Sequence, residues 1–471
     1  MSQGTEMKRP TPAWRLIAVG VALATVAACD TPDQPSIQPT SSIANAATST
    51  PRPATTTPST KPAPVSPGVQ LSVPATTTAS LVNNAQRCTQ VRAAATANPA
   101  RFRATSVFNT PAACMERHPE SDRWSSTWFT FANYPGRTDP SRRGELVIAF
   151  DAYGIPVYST ADATTTIKVY TAAWSYGHEL GGGRSIPWNP KWKAASGKDA
   201  KLIILDPASG KEWTLWGVRN PSSLECLSAA NLLDGYRLGT DLCTYTAYIG
   251  RNVDGSIADA TNSDGFSQLG GRGMGRLLGM TLLPTLDEIE RGSINHAINM
   301  ETYATMFGPG CTAEQISAGQ AGSKCGYAVA PATKLEWTDT VLKCGSSTMA
   351  YTDESRALTV PEGMRFVLNK TDAQIDAWLD AQGYVGQRRS TARIFAVALR
   401  DYGWIISGTS CSRSSMAVEG IANPTARERW ERLGMTDPTK NDTALLNGLI
   451  TSANDVVVLR PNHDTLLTAV R

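Results

Sequence analysis

The chain has 471 residues, 41% of them hydrophobic, with 12 Trp, 13 Tyr and 9 Phe, enough apolar material for a sizeable core. A formal charge of only +3, with no run of basic residues, gives no electrostatic basis for binding nucleic acid. Four histidines and nine cysteines without a CxxC pair argue against zinc, and no metal or cofactor is expected.

Residues 1–28 read as a signal peptide. Lys8, Arg9 and Arg15 precede the apolar run LIAVGVALATVAA, which is too short for a comfortable membrane span. It ends in Val26-Ala27-Ala28-Cys29, which resembles the bacterial lipobox and implies cleavage before Cys29 and a lipid on its sulfur. Residues 29–81 are Thr, Pro, Ser and Ala with almost no charge, a composition that cannot bury enough apolar surface to fold. At ~3 Å per residue in polyproline form, some fifty residues reach on the order of 150 Å. The membrane is expected to meet this protein only through the anchor.

The globular part is expected over residues 82–471. Its eight cysteines, Cys88, Cys114, Cys226, Cys243, Cys311, Cys325, Cys344 and Cys411, form an even set consistent with four disulfides in an oxidising compartment. Short loops favour pairing of neighbours: 88–114, 226–243, 311–325 and 344–411. LVNNAQRCTQVRAAATA fits a helix. SVFNTP, WSSTWFTF, ELVIAFDAYGIPVYS and TTIKVYTAAWSY are short β-prone runs. KLIILDPASGKEWTLW reads as a hairpin around Asp206-Pro207-Ala208-Ser209-Gly210, where Asp then Pro favours a type I turn. Past Pro361, MRFVLN, WIIS and VVVLRP read as strands, and TDAQIDAWLDAQGY and TARIFAVALRDYG as helices. The expected class is mainly β, with sandwich or jelly-roll-like antiparallel sheets and a few helices towards the C-terminus.

Residues 268–300, QLGGRGMGRLLGMTLLPTLDEIERGSINHAINM, combine a glycine-rich loop, a Pro-stopped apolar run, a short helix ended by Gly292 and a strand carrying His296. The loop lacks the strand-loop-helix setting of a dinucleotide site and a Walker lysine, so nucleotide binding is rejected. A tight turn and a backbone-close loop at a substrate cleft are about equally good readings of it. His296 shares a face with Ile294 and Ile298, where a histidine is more often a hydrogen-bonded core residue than a catalyst. The nearby Asp287, Glu288 and Glu290 keep a carboxylate–imidazole pair open.

Glu212 alternates with Trp213 on the hairpin. If Trp213 and Leu215 face inward, Glu212 and Trp216 form an outward carboxylate beside an aromatic ring, which suits sugars. Trp188 and Trp192 extend that platform or cover a sheet. Glycoside hydrolysis needs two carboxyls about 5–10 Å apart. The candidates are Glu212 with Asp264 or Glu288, assisted by His296, with Arg272 of the glycine loop in the substrate-binding set. No GxSxG elbow supports a serine hydrolase.

The segments from DAKLIILDPASGKEWTLW, through RGMGRLLGMTLLPTLDEIERGSINHAINM, to APATK, PEGMRFVL and ALRDYGWII follow one order. Together they resemble a family of extracellular, mostly uncharacterised proteins of actinobacteria and other bacteria, with fungal relatives. The resemblance spans roughly Ser106 to Arg460, with departures at Met274 to Leu278 and at Asn299-Met300. It implies a secreted protein, places Glu212, Glu288, His296 and Lys334 on recurring positions, and gives no reaction. The expectation is a monomeric lipoprotein on the outer face of the cell membrane that binds a polysaccharide and cleaves it as a hydrolase or lyase. A non-catalytic glycan-binding, adhesion or structural envelope lipoprotein is the alternative.

Overall fold

The computed structural model describes residues 81–99, 106–131, 138–171, 183–208, 211–219, 221, 235–244, 246–251, 279–332, 335–336, 352–461 and 466–467. The leader, Cys29 and the Thr/Pro/Ser-rich stretch lie outside them, as do the GGRGMG loop, Asp264, Arg272, Lys334, Cys226 and Cys344. Among the described residues the helices are α1 (Ala85–Ala95), α2 (Ser121–Phe131), α3 (Leu286–Glu290), α4 (Ala313–Ser317), α5 (Asp353–Ala357), α6 (Asp372–Ala381), α7 (Gly386–Asp401) and α8 (Pro424–Arg432). The strands up to the glycine loop are β1 (Leu146–Ala149), β2 (Val157–Ser159), β3 (Thr165–Thr171), β4 (Arg184–Trp188), β5 (Leu202–Leu205), β6 (Lys211–Trp216), β7 (Leu242–Thr244) and β8 (Thr246–Arg251). After it come β9 (Ile298–Thr302), β10 (Ala328–Val329), β11 (Arg365–Leu368), β12 (Trp404–Thr409), β13 (Ser414–Ala417), β14 (Val456–Val458) and β15 (Leu466–Leu467). The class is mainly β, with helices concentrated in the C-terminal part.

Three open sheets carry the architecture. The largest has the order β1-β13-β9-β12-β11-β14, the second β2-β5-β6-β8 and the third β4-β3-β7; β10 and β15 form a short separate ladder. Pairing is mixed where antiparallel ladders alone were expected: β1/β13, β9/β12, β2/β5 and β3/β7 run parallel. Parallel neighbours need long crossovers, and between β9 and β12 the chain supplies one through α4 to α7.

One face of the large sheet packs on α2, α6, α7 and α8, with Trp128, Phe366 and Trp404 at the centre of the core. Phe366 and Trp404 stack at 5.8 Å between ring centroids. The WSSTWFTF run, β-prone by composition, belongs to helix α2. Its tryptophans at 124 and 128 are four apart and both buried, a spacing that places them on one helical face. The capping residue Thr371 accepts a hydrogen bond from Gln374 N at 3.2 Å and starts α6, whose Ile375, Trp378 and Leu379 point inward as the periodicity predicts.

The second and third sheets form a small sandwich. Ile204, Trp213 and Leu215 from one meet Val169, Ile186 and Trp188 from the other in one apolar cluster. The hairpin is as expected: Leu205 pairs with Glu212, and Asp206 accepts from Ala208 N in the turn. The other face of this sheet reaches the large sheet through Ile155, Ile203, Met280, Leu283 and Ala417.

Disulfides join Cys88 to Cys114 and Cys311 to Cys325. Cys243 and Cys411 are also disulfide-bonded, and the partners expected for them lie outside the described residues. The bridges place the domain in an oxidising compartment. No helix among the described residues is long and apolar enough to cross a membrane.

Candidate functional site

Residues 279–286, all buried, form a strap between the small sandwich and the large sheet that turns at 279–282 and then runs on to α3. Three polar side chains fix it. Glu212 Oε1 accepts from Met280 N at 3.4 Å. Asn299 Nδ2 donates to Leu282 O at 2.9 Å. Glu419 Oε2 accepts from Leu286 N at 2.9 Å, while Glu419 N donates to Pro284 O at 3.0 Å. A Cβ at Gly279 would lie 2.4 Å from Thr214 Oγ1, so glycine is required where the strap meets β6.

This closeness corrects the expected role of Glu212. Its side chain lies between the two layers, 1% exposed, with Oε1 also accepting from Thr214 Oγ1 at 3.2 Å. The strand was expected to show one face to water, but both are covered: Trp213 and Leu215 by the sandwich, Glu212 and Thr214 by the strap. Trp188 and Trp192 are not a sugar platform either. Trp192 stacks on Tyr158 at 5.0 Å and meets the Trp188 ring edge-on at 5.6 Å inside the sandwich core. Trp216 is half-buried at the end of β6.

Helix α3 and the turn after it bring together the one pair that proximity in sequence suggested. His296 Nε2 lies 3.2 Å from Glu288 Oε1, and both side chains are buried. Glu288 Oε2 also accepts from Thr285 N at 3.0 Å and Thr285 Oγ1 at 2.7 Å, closing the first turn of α3 as a capping glutamate does. Gly292, at φ +93°, ends the helix as expected. Asp287 and Glu290 point away from the pair, into surface ion pairs with Arg429 of α8. The strand expected from Ile294 begins only at Ile298, so His296 sits in the turn before β9.

Burial alone would raise the Glu288 carboxyl, but the His296 charge, its hydrogen bond and the Thr285 donors outweigh it and pull the pKa down to about 2. The folded value lies below the unfolded one, so this stabilisation is present above about pH 4.5 and is lost as pH falls towards 2. We expect unfolding free energy to drop by roughly 3 kcal/mol across that window through this group. Glu288→Gln should flatten that part of the profile; an acid limb as steep in the variant as in the parent would disprove the assignment.

The described residues link two glutamates, through a backbone N–H and two threonines, that residue-by-residue reading missed. Glu362, fully buried, accepts through Oε2 from Glu336 N at 3.0 Å and through Oε1 from Thr305 Oγ1 at 3.4 Å. Half-buried Glu336 accepts from Thr409 N at 2.7 Å, and the Thr305 and Thr409 hydroxyls are 2.8 Å apart. The group lies at the carboxyl ends of the parallel strands β9 and β12, where Thr302 pairs with Thr409. Loops leaving parallel strands converge there, a common place for ligand contacts. The only hint in the sequence was that Glu362 falls in PEGMRFVL and Glu336 just beyond APATK. Two single glutamates 26 residues apart carry no local pattern. No group of three or more metal-ligating side chains occurs among the described residues.

No family model, curated protein or solved structure matches the chain.

Proposed function

We propose that this is an exported lipoprotein, held at the cell surface through Cys29, whose domain binds a polysaccharide and hydrolyses it at the Glu336–Glu362 cluster. The observation carrying the reading is that two glutamates linked through the Glu336 N–H and the Thr305–Thr409 hydroxyls have different environments, Glu362 sealed from water and Glu336 half-buried. Environments that differ in this way let one carboxyl act on substrate while the other positions it. Hydroxyls and backbone N–H groups around them suit a polyhydroxylated ligand. Glu336 takes the place first expected of Glu212 as the group that meets the glycosidic oxygen. The lipobox-like Val26-Ala27-Ala28-Cys29 and the uncharged stretch after it support the surface location.

The test is release of reducing ends from a panel of cell-wall and plant polysaccharides. Glu336→Gln should lower release by about 100-fold or more while leaving the melting temperature nearly unchanged. Unchanged release by the variant, or no polysaccharide bound or cut by the parent, refutes the reading. A non-catalytic glycan-binding role is the second reading, favoured by the hydrogen bonds that already commit both carboxylates to backbone and threonine donors. Binding without release of ends would select it.

A further inference from the structure

His296 has an oxygen acceptor at each ring nitrogen. Nδ1 lies 2.8 Å from the carbonyl oxygen of Ala297, and Nε2 3.2 Å from Glu288 Oε1. A carbonyl cannot donate, so Nδ1 must carry a hydrogen. Glu288 Oε2 already receives two Thr285 donors, so the remaining proton of the contact lies between Oε1 and Nε2. Two donors on Oε2 favour the ionised carboxylate over the acid, which places that proton on the ring.

We infer that His296 is a buried imidazolium at neutral pH, forming with Glu288 an ionic latch between helix α3 and the entry to β9 that opens when the ring loses a proton in alkali. When the proton leaves to solvent base, one nitrogen becomes an acceptor facing another acceptor. Either the Ala297 carbonyl or the Glu288 carboxylate then loses its donor inside the fold, a costly state that favours opening of the turn. The turn is otherwise held by Ala297 N donating to Phe108 O and by Ser293 N donating to Glu288 O.

Among the described residues, the following charged groups lie around the pair. On α3, Asp287 and Glu290 are paired to Arg429 of α8, with Arg432 close to Glu290, and Arg291 donates to Asn98. Glu419 sits at the N-terminus of α3. Arg365 of β11 binds the carbonyls of Val107 and Thr110, on either side of the Phe108 that receives Ala297 N. The Glu288 carboxyl is governed by His296 and Thr285.

With only four histidines, the full chain labelled with [15N]histidine gives a readable spectrum. His296 is assigned by its loss in His296→Gln. In the parent at pH 7, both ring nitrogens of His296 should carry hydrogens. The ring should keep both to a pH above the ordinary histidine range. In Glu288→Gln, glutamine still accepts from Thr285 N, so the helix start is kept. There the ring should be neutral at pH 7, and hydrogen exchange at Ala297 and Ser293 should rise in alkali only as fast as base catalysis dictates, whereas in the parent it should rise more steeply. A bare ring nitrogen in the parent at pH 7, or an imidazolium persisting in Glu288→Gln, overturns the inference.

Discussion

Replacing Asn299 by leucine is expected to lower the free energy of unfolding by about 3–5 kcal/mol. The amide is fully buried in β9 and works as a piece of backbone. Its Nδ2 donates to Leu282 O and to Ala417 O, and its Oδ1 accepts from Ala417 N at 2.8 Å. Between β9 and β13 the only backbone pairing is Ser415 with Glu301, so the side chain closes a gap in the ladder. Leucine has a similar volume and fills the space, yet it leaves the buried N–H and carbonyl of Ala417 without this partner, while Leu282 O keeps only its bond from Asn299 N. Each such loss costs roughly 1–3 kcal/mol. Asn299→Asp separates the contributions. It retains the acceptor for Ala417 N but turns an oxygen towards two carbonyls, and should be at least as damaging as leucine near neutral pH. Urea denaturation of the three proteins decides the matter; a loss under about 1 kcal/mol for leucine means the ladder closes without the amide.

Arg365→Met is the second substitution expected to have a large effect, with a loss of about 3–5 kcal/mol. The guanidinium is 4% exposed and donates to Tyr402 O at 2.7 Å, Val107 O at 2.9 Å and Thr110 O at 2.7 Å. Burial lowers the pKa of this cation, a sign of what it costs to place it there. Exchanging a whole buried ion pair for apolar side chains can be neutral or stabilising, because both charges leave together. Here the partners are main-chain carbonyls, which no substitution removes. Methionine would strand the carbonyl at the end of α7 and two more in the segment beneath it. Lysine, with one ammonium in place of a planar fork, should recover only part of the loss. A methionine variant as stable as the parent in urea would show that water takes over the carbonyls.

The chain was readable where local pattern decides structure. The Asp206 turn, the capped α6 and the glycine that ends α3 were all legible because neighbours a few residues apart suffice to specify them. The Glu288–His296 pair was visible as a possibility for the same reason, since eight residues and one tight turn separate its members. Helix α2 misled because tryptophan and threonine favour strands, whereas the four-residue spacing of Trp124 and Trp128 served the core better as a helix. Glu212 misled for a different reason. Alternation predicts a wet face only if nothing covers it, and the strap from Gly279 arrives from 67 residues later in the chain. Asn299, Arg365 and the Glu336–Glu362 cluster each depend on segments brought together by the sheet order, which is not written locally. Mixed pairing was hidden likewise, because it depends on crossover paths rather than on the strands themselves.

The beginning and the end of the domain lie side by side. Val82 packs with Leu459, His118 N donates to Val458 O, and Arg460 N donates to Glu116 O. Helix α1, entered from residue 81, is cross-linked to the next turn through Cys88 and pinned to α7 by the buried ion pair of Arg87 with Asp401. Tension drawn through the upstream residues would therefore be delivered to a covalently braced corner and passed to the longest helix, sparing the edge strand β14 from being peeled away.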